Sequence, residues 1–202
     1  MAERLNMLVF WKERLVYLAT PKTGSTAIEA ALEPLASVAI ERPPVLKHTN
    51  VRRYWQTFAP FLKAAAGEEF TVVAMMRDPI DWLGSWYRFR QRHDLQSPQK
   101  ATEALSFDEF VTAYLGKVRP PFADVGRQGA FLAPEGERGA DQIFRYERME
   151  SFVEFLEDRL NCEIMLPRLN VSPPGVMSLR PETEARLRQD HAKEFALHAS
   201  LA

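Results

Sequence analysis

The chain has 202 residues, 46% hydrophobic and 26% charged, enough apolar material for one sizeable core and enough charge to keep it in water. A formal net charge of -1 excludes a general affinity for nucleic acid, so any positive site has to be local. The single cysteine, Cys162, excludes a disulfide framework and a cysteine-rich zinc site within the chain; packing is its expected role, and a reducing, cytoplasmic setting is expected.

The opening "MAERLNMLVFWKERLVYLAT" carries Glu3, Arg4, Lys12, Glu13 and Arg14, which interrupt its apolar runs, so it reads neither as an export signal nor as a membrane segment. No run approaches the roughly 20 apolar residues of a membrane span. Residues 7–11 and 15–19 are two β-prone runs around "KER", read as a hairpin or as an edge strand followed by a central one. "LVYLA" is the better central strand because it is almost continuously apolar. A helix from about Ser25 to Leu35 places Ile28, Ala31, Leu32 and Leu35 at helical spacing. "ERPP" at 41–44 reads as a linker, and Thr49 or Asn50 as the cap of a helix reaching about Ala66. The stripe Val51, Tyr54, Trp55, Phe58, Phe61, Leu62 and Ala65 faces the core, with a kink or break expected at Pro60.

"FTVVAMM" at 70–76 is a buried parallel-type strand, and Pro79 suits the first turn of the helix that follows, expected to reach about Arg92. Residues 93–105 are polar and irregular. "SFDEFVTAYLG" is a helix capped by Ser106 with Glu109 closing a capping box. Residues 117–140 mix glycine, proline and charge, and read as a long loop suited to covering a site. "QIFRYE" is a strand, and "RMESFVEFLEDRL" a helix with Phe152, Val153, Phe155, Leu156 and Leu160 on its core side. Pro181, with Glu182 and Glu184, opens a last helix to about Leu197. Alternating strands and helices predict an α/β fold with a parallel sheet covered on both faces, and ligands in such folds sit beyond the carboxyl ends of the strands. Residues 1–202 are read as one domain.

Two candidate sites fall at such ends. In "TPKTGST", residues 20–26, the N–H groups of a helix N-terminus, the tight turn at Gly24, the hydroxyls of Ser25 and Thr26 and the charge of Lys22 converge into an oxyanion cradle. It is not a Walker loop: Lys22 precedes Gly24, the upstream glycine is missing, and the strand at 70–76 ends in Arg77 before Asp78 rather than in a Walker-B acid. In "RDPIDWLGS" a strand-end arginine, Arg77, precedes Ser85 by eight residues.

"TPKTGST" resembles the 5′-phosphosulfate loop of the sulfotransferases, and "MMRDPIDWLGSWY" resembles their second signature, an arginine at a strand end with a serine on the next helix. "RYERME" and "LPRLNVSP" resemble later segments of the bacterial and carbohydrate-type members. The resemblance covers most of the chain, and its first two motifs together are the specific part.

It implies a P-loop-like three-layer α/β/α domain with a central, mainly parallel sheet. The donor would be 3′-phosphoadenosine 5′-phosphosulfate and no metal would be needed. Lys22 would contact the oxygen bridging phosphate and sulfate, Thr23, Gly24, Ser25 and Thr26 would hold the 5′-phosphate, and Arg77 with Ser85 would hold the 3′-phosphate. His48 in "LKHTN" is the candidate base: it stands just before a helix N-terminus, whose positive potential keeps imidazole neutral, and Glu41 is the alternative. Arg88 and Arg92 share a helical face with Ser85 and would extend the positive surface. Trp82 and Trp86 are read as core, with adenine stacking the second choice. Glu147, Arg168, Asn170 and Ser172 are read as structural before catalytic.

An Arg-Lys-Gly motif is missing, which points away from the cytosolic small-molecule branch. His48, His93, His191 and His198 lack metal-ligand spacing. The expected acceptor is a hydroxyl of a carbohydrate or small molecule, with neither nucleic acid nor membrane as partner. Competing readings are a kinase-like phosphotransferase using magnesium-ATP and a non-catalytic nucleotide-binding relative.

Overall fold

A computed structural model of the chain describes residues 7–40, 46, 49–91, 102, 105–167 and 177–201. The chain divides into two compact units, one built from residues 1–77, 128–170 and 201–202, the other from 78–127 and 171–200.

The first unit holds a five-stranded open sheet. β1 (Met7–Phe10) and β2 (Leu15–Leu18) form an antiparallel hairpin. β3 (Val38–Ile40) pairs antiparallel on the far side of β1. β4 (Thr71–Met76) and β5 (Gln142–Arg145) run parallel to β2, giving the order β3-β1-β2-β4-β5. The parallel expectation therefore holds for β2, β4 and β5 and is corrected for β1 and β3. The four-residue turn at Trp11–Arg14 is too short for a crossover, so β1 and β2 must be antiparallel.

β2 is the central strand because all four of its side chains are apolar or aromatic and fully buried. On one face of the sheet Leu8, Phe10, Leu15, Tyr17, Val73 and Met75 form a core with Ile28 and Leu32 of helix α1 (Ser25–Leu32) and Phe152 and Leu156 of helix α6 (Met149–Leu160). Each such residue contributes about 1.5–3 kcal/mol by leaving water. Cys162 packs against this core as a free thiol. The alternate residues Met7, Val9, Val16, Leu18, Val72, Ala74 and Met76 are equally buried, so both faces are covered at β1, β2 and β4. That double burial is why these strands read as continuous apolar runs.

Helix α1 stops at Leu32, and a 3₁₀ turn over Glu33–Leu35 leaves Leu35 48% exposed, against the sequence expectation. Helix α2 is capped by the Asn50 side chain, which accepts from Arg53 N–H at 2.9 Å. It runs through Val51–Arg53, Tyr54–Phe58 and Ala59–Ala66, and the middle stretch is π-helical. The helix continues through Pro60, so the chain does not break there. Lacking an N–H and crowding the carbonyl of Gln56, proline is accommodated by the wider π turn just before it. Val51, Tyr54 and Leu62 are buried, but Phe61 is 69% exposed, because the π turn shifts the apolar stripe out of 3.6 register. Helix α5 (Gln128–Leu132) interrupts the segment expected to be loop.

The second unit is helical. α3 (Pro79–Arg90) is capped by Asp78, whose carboxylate accepts from Ile80 and Asp81 N–H at 2.9 and 3.0 Å. α4 (Phe107–Tyr114) has the expected capping box between Ser106 and Glu109. Trp82, Tyr87, Phe107, Phe110 and Tyr114 build an aromatic core. The expected last helix is two: α7 (Pro181–Asp190) and α8 (Ala192–Ser200), broken at His191, whose ring stacks on Tyr114. No glycine or proline marks this break; a tertiary contact does. Arg180, at the head of α7, donates to Asp108 from its backbone and guanidinium at 2.9 and 2.7 Å, which holds the Asp108 carboxyl down at about 2. Among the described residues no helix is long and apolar enough to cross a membrane.

Candidate functional site

Because β2, β4 and β5 are parallel and in register, their carboxyl ends lie side by side. Three segments leave from that edge: the loop 19–24 after β2, Arg77 after β4, and Tyr146 after β5. Strand order alone therefore gathers residues separated by more than a hundred positions in the chain.

The loop is wound for backbone donors to converge. Lys22 and Gly24 are both left-handed, with φ of 68° and 71°. A non-glycine residue in that region costs on the order of 1 kcal/mol or more and persists where the surroundings enforce it, often at a functional site. The Thr23 hydroxyl is buried and donates to the Thr20 carbonyl at 2.9 Å, so it builds the loop instead of facing a ligand. Gly24 stands at the N-cap of α1 with no side-chain cap. The first helical N–H groups to reach its carbonyl are those of Ala27 and Ile28, at 3.0 and 3.4 Å. The N–H groups of Ser25 and Thr26 precede that ladder, and the helix dipole adds about half a positive charge there. Such left-handed turns at a helix start are anion nests.

Arg77 is held at this loop. Its backbone N–H donates to Oε1 of buried Gln128 at 2.9 Å, and its carbonyl accepts from Gln128 Nε2 at 2.8 Å. One amide side chain thus pins both polar groups of the residue that ends β4. The guanidinium lies 4.5 Å above the Tyr146 ring, and Nη1 donates to the Lys22 carbonyl at 3.3 Å. This cation–π contact helps hold the guanidinium and contributes about 0.5–2 kcal/mol. Tyr146 also closes on Gly24: a Cβ added there would meet Tyr146 Cε2 at 3.1 Å and Met149 Cε at 3.3 Å. One ring therefore sets both the floor of the loop and the seat of Arg77.

Beneath the loop, Glu29 on α1 is 2% exposed, and Tyr17 on β2 is held protonated, well above its usual range, by burial and by Glu29. Glu29 follows Ile28 and precedes Leu32 on the core side of α1, a position that helical spacing makes readable although no motif marks it.

The structure thus brings Lys22, Thr23, Gly24, Ser25, Thr26 and Arg77 together within the first unit. Ser85 belongs to the second unit, where it is 7% exposed on α3. Trp82 is core, and half-buried Trp86 meets it edge to face with centroids 6.2 Å apart. Arg88 reaches the Met177 sulfur at 2.6 Å. His48, Glu41, Arg92, His93, Arg168, Asn170 and Ser172 lie outside the described residues. Gln128 and Tyr146 are the contributors that sequence reasoning did not assign. Tyr146 lies inside the quoted "RYERME", whereas Gln128 carries no local signal, since only the fold brings it to Arg77.

Comparisons with protein-family models, with curated proteins and with solved structures give no match.

Proposed function

We propose that this protein is a sulfotransferase that moves a sulfuryl group from 3′-phosphoadenosine 5′-phosphosulfate to a hydroxyl of a carbohydrate or small-molecule acceptor. The observation that carries the reading is the meeting of two cation-bearing residues at one helix N-terminus: Lys22 in a left-handed turn, and the Arg77 guanidinium seated on Tyr146 and bonded to the Lys22 backbone carbonyl at 3.3 Å. A donor with phosphate at both ends of one ribose calls for a lysine at the scissile end and a guanidinium fork for a second phosphate. Burial of β1, β2 and β4 on both faces supports the three-layer part of the P-loop-like architecture that the reading requires.

In this proposal the acceptor oxygen attacks sulfur as the bond from sulfur to the bridging oxygen breaks. The negative charge of the departing 5′-phosphate builds next to the loop. Lys22 Nζ and the N–H groups of Gly24, Ser25 and Thr26 stabilise it, and donors preorganised in this way are worth roughly 3–4 kcal/mol each. Arg77 takes the 3′-phosphate, and His48 accepts the acceptor's proton. The second product is adenosine 3′,5′-bisphosphate, and atoms balance without oxidant or metal.

Turnover with labelled donor and a panel of hydroxylated acceptors tests the reading. Wild type is expected to release adenosine 3′,5′-bisphosphate and label an acceptor, and Lys22→Ala to abolish both while still binding nucleotide. Hydrolysis or transfer of a phosphoryl group from magnesium-ATP, with no sulfuryl transfer, would establish the kinase-like alternative instead. Tight nucleotide binding without turnover on any acceptor would favour a non-catalytic relative.

A further inference from the structure

In the second unit a cleft of about 580 Å³ opens where the loop after α4 meets the junction of α7 and α8. Its volume lies within the usual range of small-molecule pockets. Lys117, Arg119, Arg127 and His191 line it together with Asp124 and Asp190.

Tyr114 organises the His191 and Arg119 side of this lining. The His191 ring stacks on it with centroids 5.0 Å apart and planes 27° from parallel. The Arg119 guanidinium lies 4.1 Å from the ring centroid while its Nε donates to the Tyr114 carbonyl at 2.7 Å. The Tyr114 hydroxyl donates to the Gly126 carbonyl at 3.0 Å, fixing the backbone just before Arg127. Gly126 is left-handed there, with φ of 78°. Across the rim, Arg186 donates to the Leu115 carbonyl at 3.0 Å and reaches Asp190 at 3.3 Å. His191, Arg119 and Asp190 are therefore held in place by their neighbours, and exposed Lys117, Asp124 and Arg127 complete the lining.

His191 is 6% exposed. Burial, then Arg127 and Arg119, push its imidazolium down to about 4, so the ring is neutral at physiological pH and can both donate and accept. Three cations, of which Arg119 is held by Tyr114, face two carboxylates, which leaves the cleft net positive yet equipped with acceptors. Guanidinium forks match tetrahedral oxyanions, and carboxylates match sugar hydroxyls.

We infer that this cleft binds a small hydroxylated oxyanion of the sugar phosphate or sugar sulfate class. Arg119, Arg127 and Lys117 hold the anionic group, His191 contributes a ring nitrogen, and Asp124 and Asp190 accept from hydroxyls. None of these residues belongs to the loop at 20–26, so the inference stands apart from the nucleotide reading.

The test uses the full chain with isotope-labelled histidine at pH 7 and low salt. Glucose 6-phosphate, glucose 6-sulfate and glucose are titrated separately, with the His191 ring resonances and calorimetry as readouts. A saturable His191 response to one or both charged sugars and none to glucose is expected, and the stronger of the two identifies the anion. Arg127→Gln, at an exposed position, weakens that binding by about tenfold or more. Lys22→Ala leaves it unchanged. Should Arg127→Gln lose its fold, Lys117→Gln, also exposed, makes the same test. The inference is overturned if neither charged sugar gives a saturable response up to about 10 mM, a range that captures affinities near 4 kcal/mol. It is also overturned if glucose binds as well as they do, or if a folded charge-removing variant binds like wild type.

Discussion

Replacing Gly24 with alanine separates two costs that the structure lets us estimate. The backbone there has φ of 71°, and a left-handed L-residue costs roughly 1–2 kcal/mol. The new methyl also meets Tyr146 Cε2 at 3.1 Å and Met149 Cε at 3.3 Å, closer than carbon atoms normally sit. Relieving that overlap moves the Tyr146 ring by a few tenths of an ångström, at about 1 kcal/mol or more. Gly67, the C-cap of α2, provides the control: its φ is 79°, and a methyl there meets nothing within 4 Å. Gly67→Ala should cost the backbone term alone, about 1–2 kcal/mol, and Gly24→Ala about 1 kcal/mol more, about 2–3 kcal/mol in urea unfolding. Because Tyr146 carries Arg77, only Gly24→Ala should also weaken adenosine 3′,5′-bisphosphate, by about tenfold, since a 1.4 kcal/mol loss is one decade. Equal destabilisation by the two substitutions, or unimpaired nucleotide binding in Gly24→Ala, would refute the reasoning that one ring supports both loop and guanidinium.

Arg77→Gln should weaken the bisphosphate by roughly ten- to a hundredfold while changing binding of a nucleotide without the 3′-phosphate little, and Arg77→Lys should fall between, as measured by calorimetry. Phe152→Ala removes a fully buried ring packed against Tyr17 and Phe144, and should destabilise by about 3–5 kcal/mol in denaturant unfolding. His191 has a folded pKa of about 4, below its unfolded value, so protonation favours the unfolded chain. Its contribution to stability is complete above about pH 6.5 and is lost as pH falls towards 4, by up to roughly 3 kcal/mol. His191→Gln should flatten the stability profile in that window. Asp108, held at about 2 by Arg180, acts lower: its contribution is present above about pH 4 and is lost as pH falls towards 2.

Most of the sheet was legible because its strands are buried on both faces and therefore continuously apolar, as "LVYL" and "TVVAMM" show. The caps at Asn50 and Ser106 and the proline at Pro79 were legible for a different reason, since each satisfies a local rule of helix termini. β3 was not, because Val38–Ile40 is half exposed and held by pairing with β1. The break at His191 and the π turn before Pro60 escaped as well: one is fixed by stacking on Tyr114, the other by how the helix absorbs a missing N–H. At the candidate site the anion-seeking chemistry of residues 22–26 was readable from residue types. Its winding was not, since the left-handed turn at Lys22 has no glycine to announce it. Gln128 was invisible because its partner, Arg77, lies 51 positions away.

The central claim is that Lys22 and Arg77 serve one nucleotide phosphorylated on both sides of its ribose. Calorimetric titration of the intact protein with adenosine 3′,5′-bisphosphate, run with and without magnesium and repeated with ATP, tests it most directly. The account predicts tight one-to-one binding of the bisphosphate that magnesium does not improve, and weak binding of ATP. Tight binding of magnesium-ATP with no measurable affinity for the bisphosphate would contradict it.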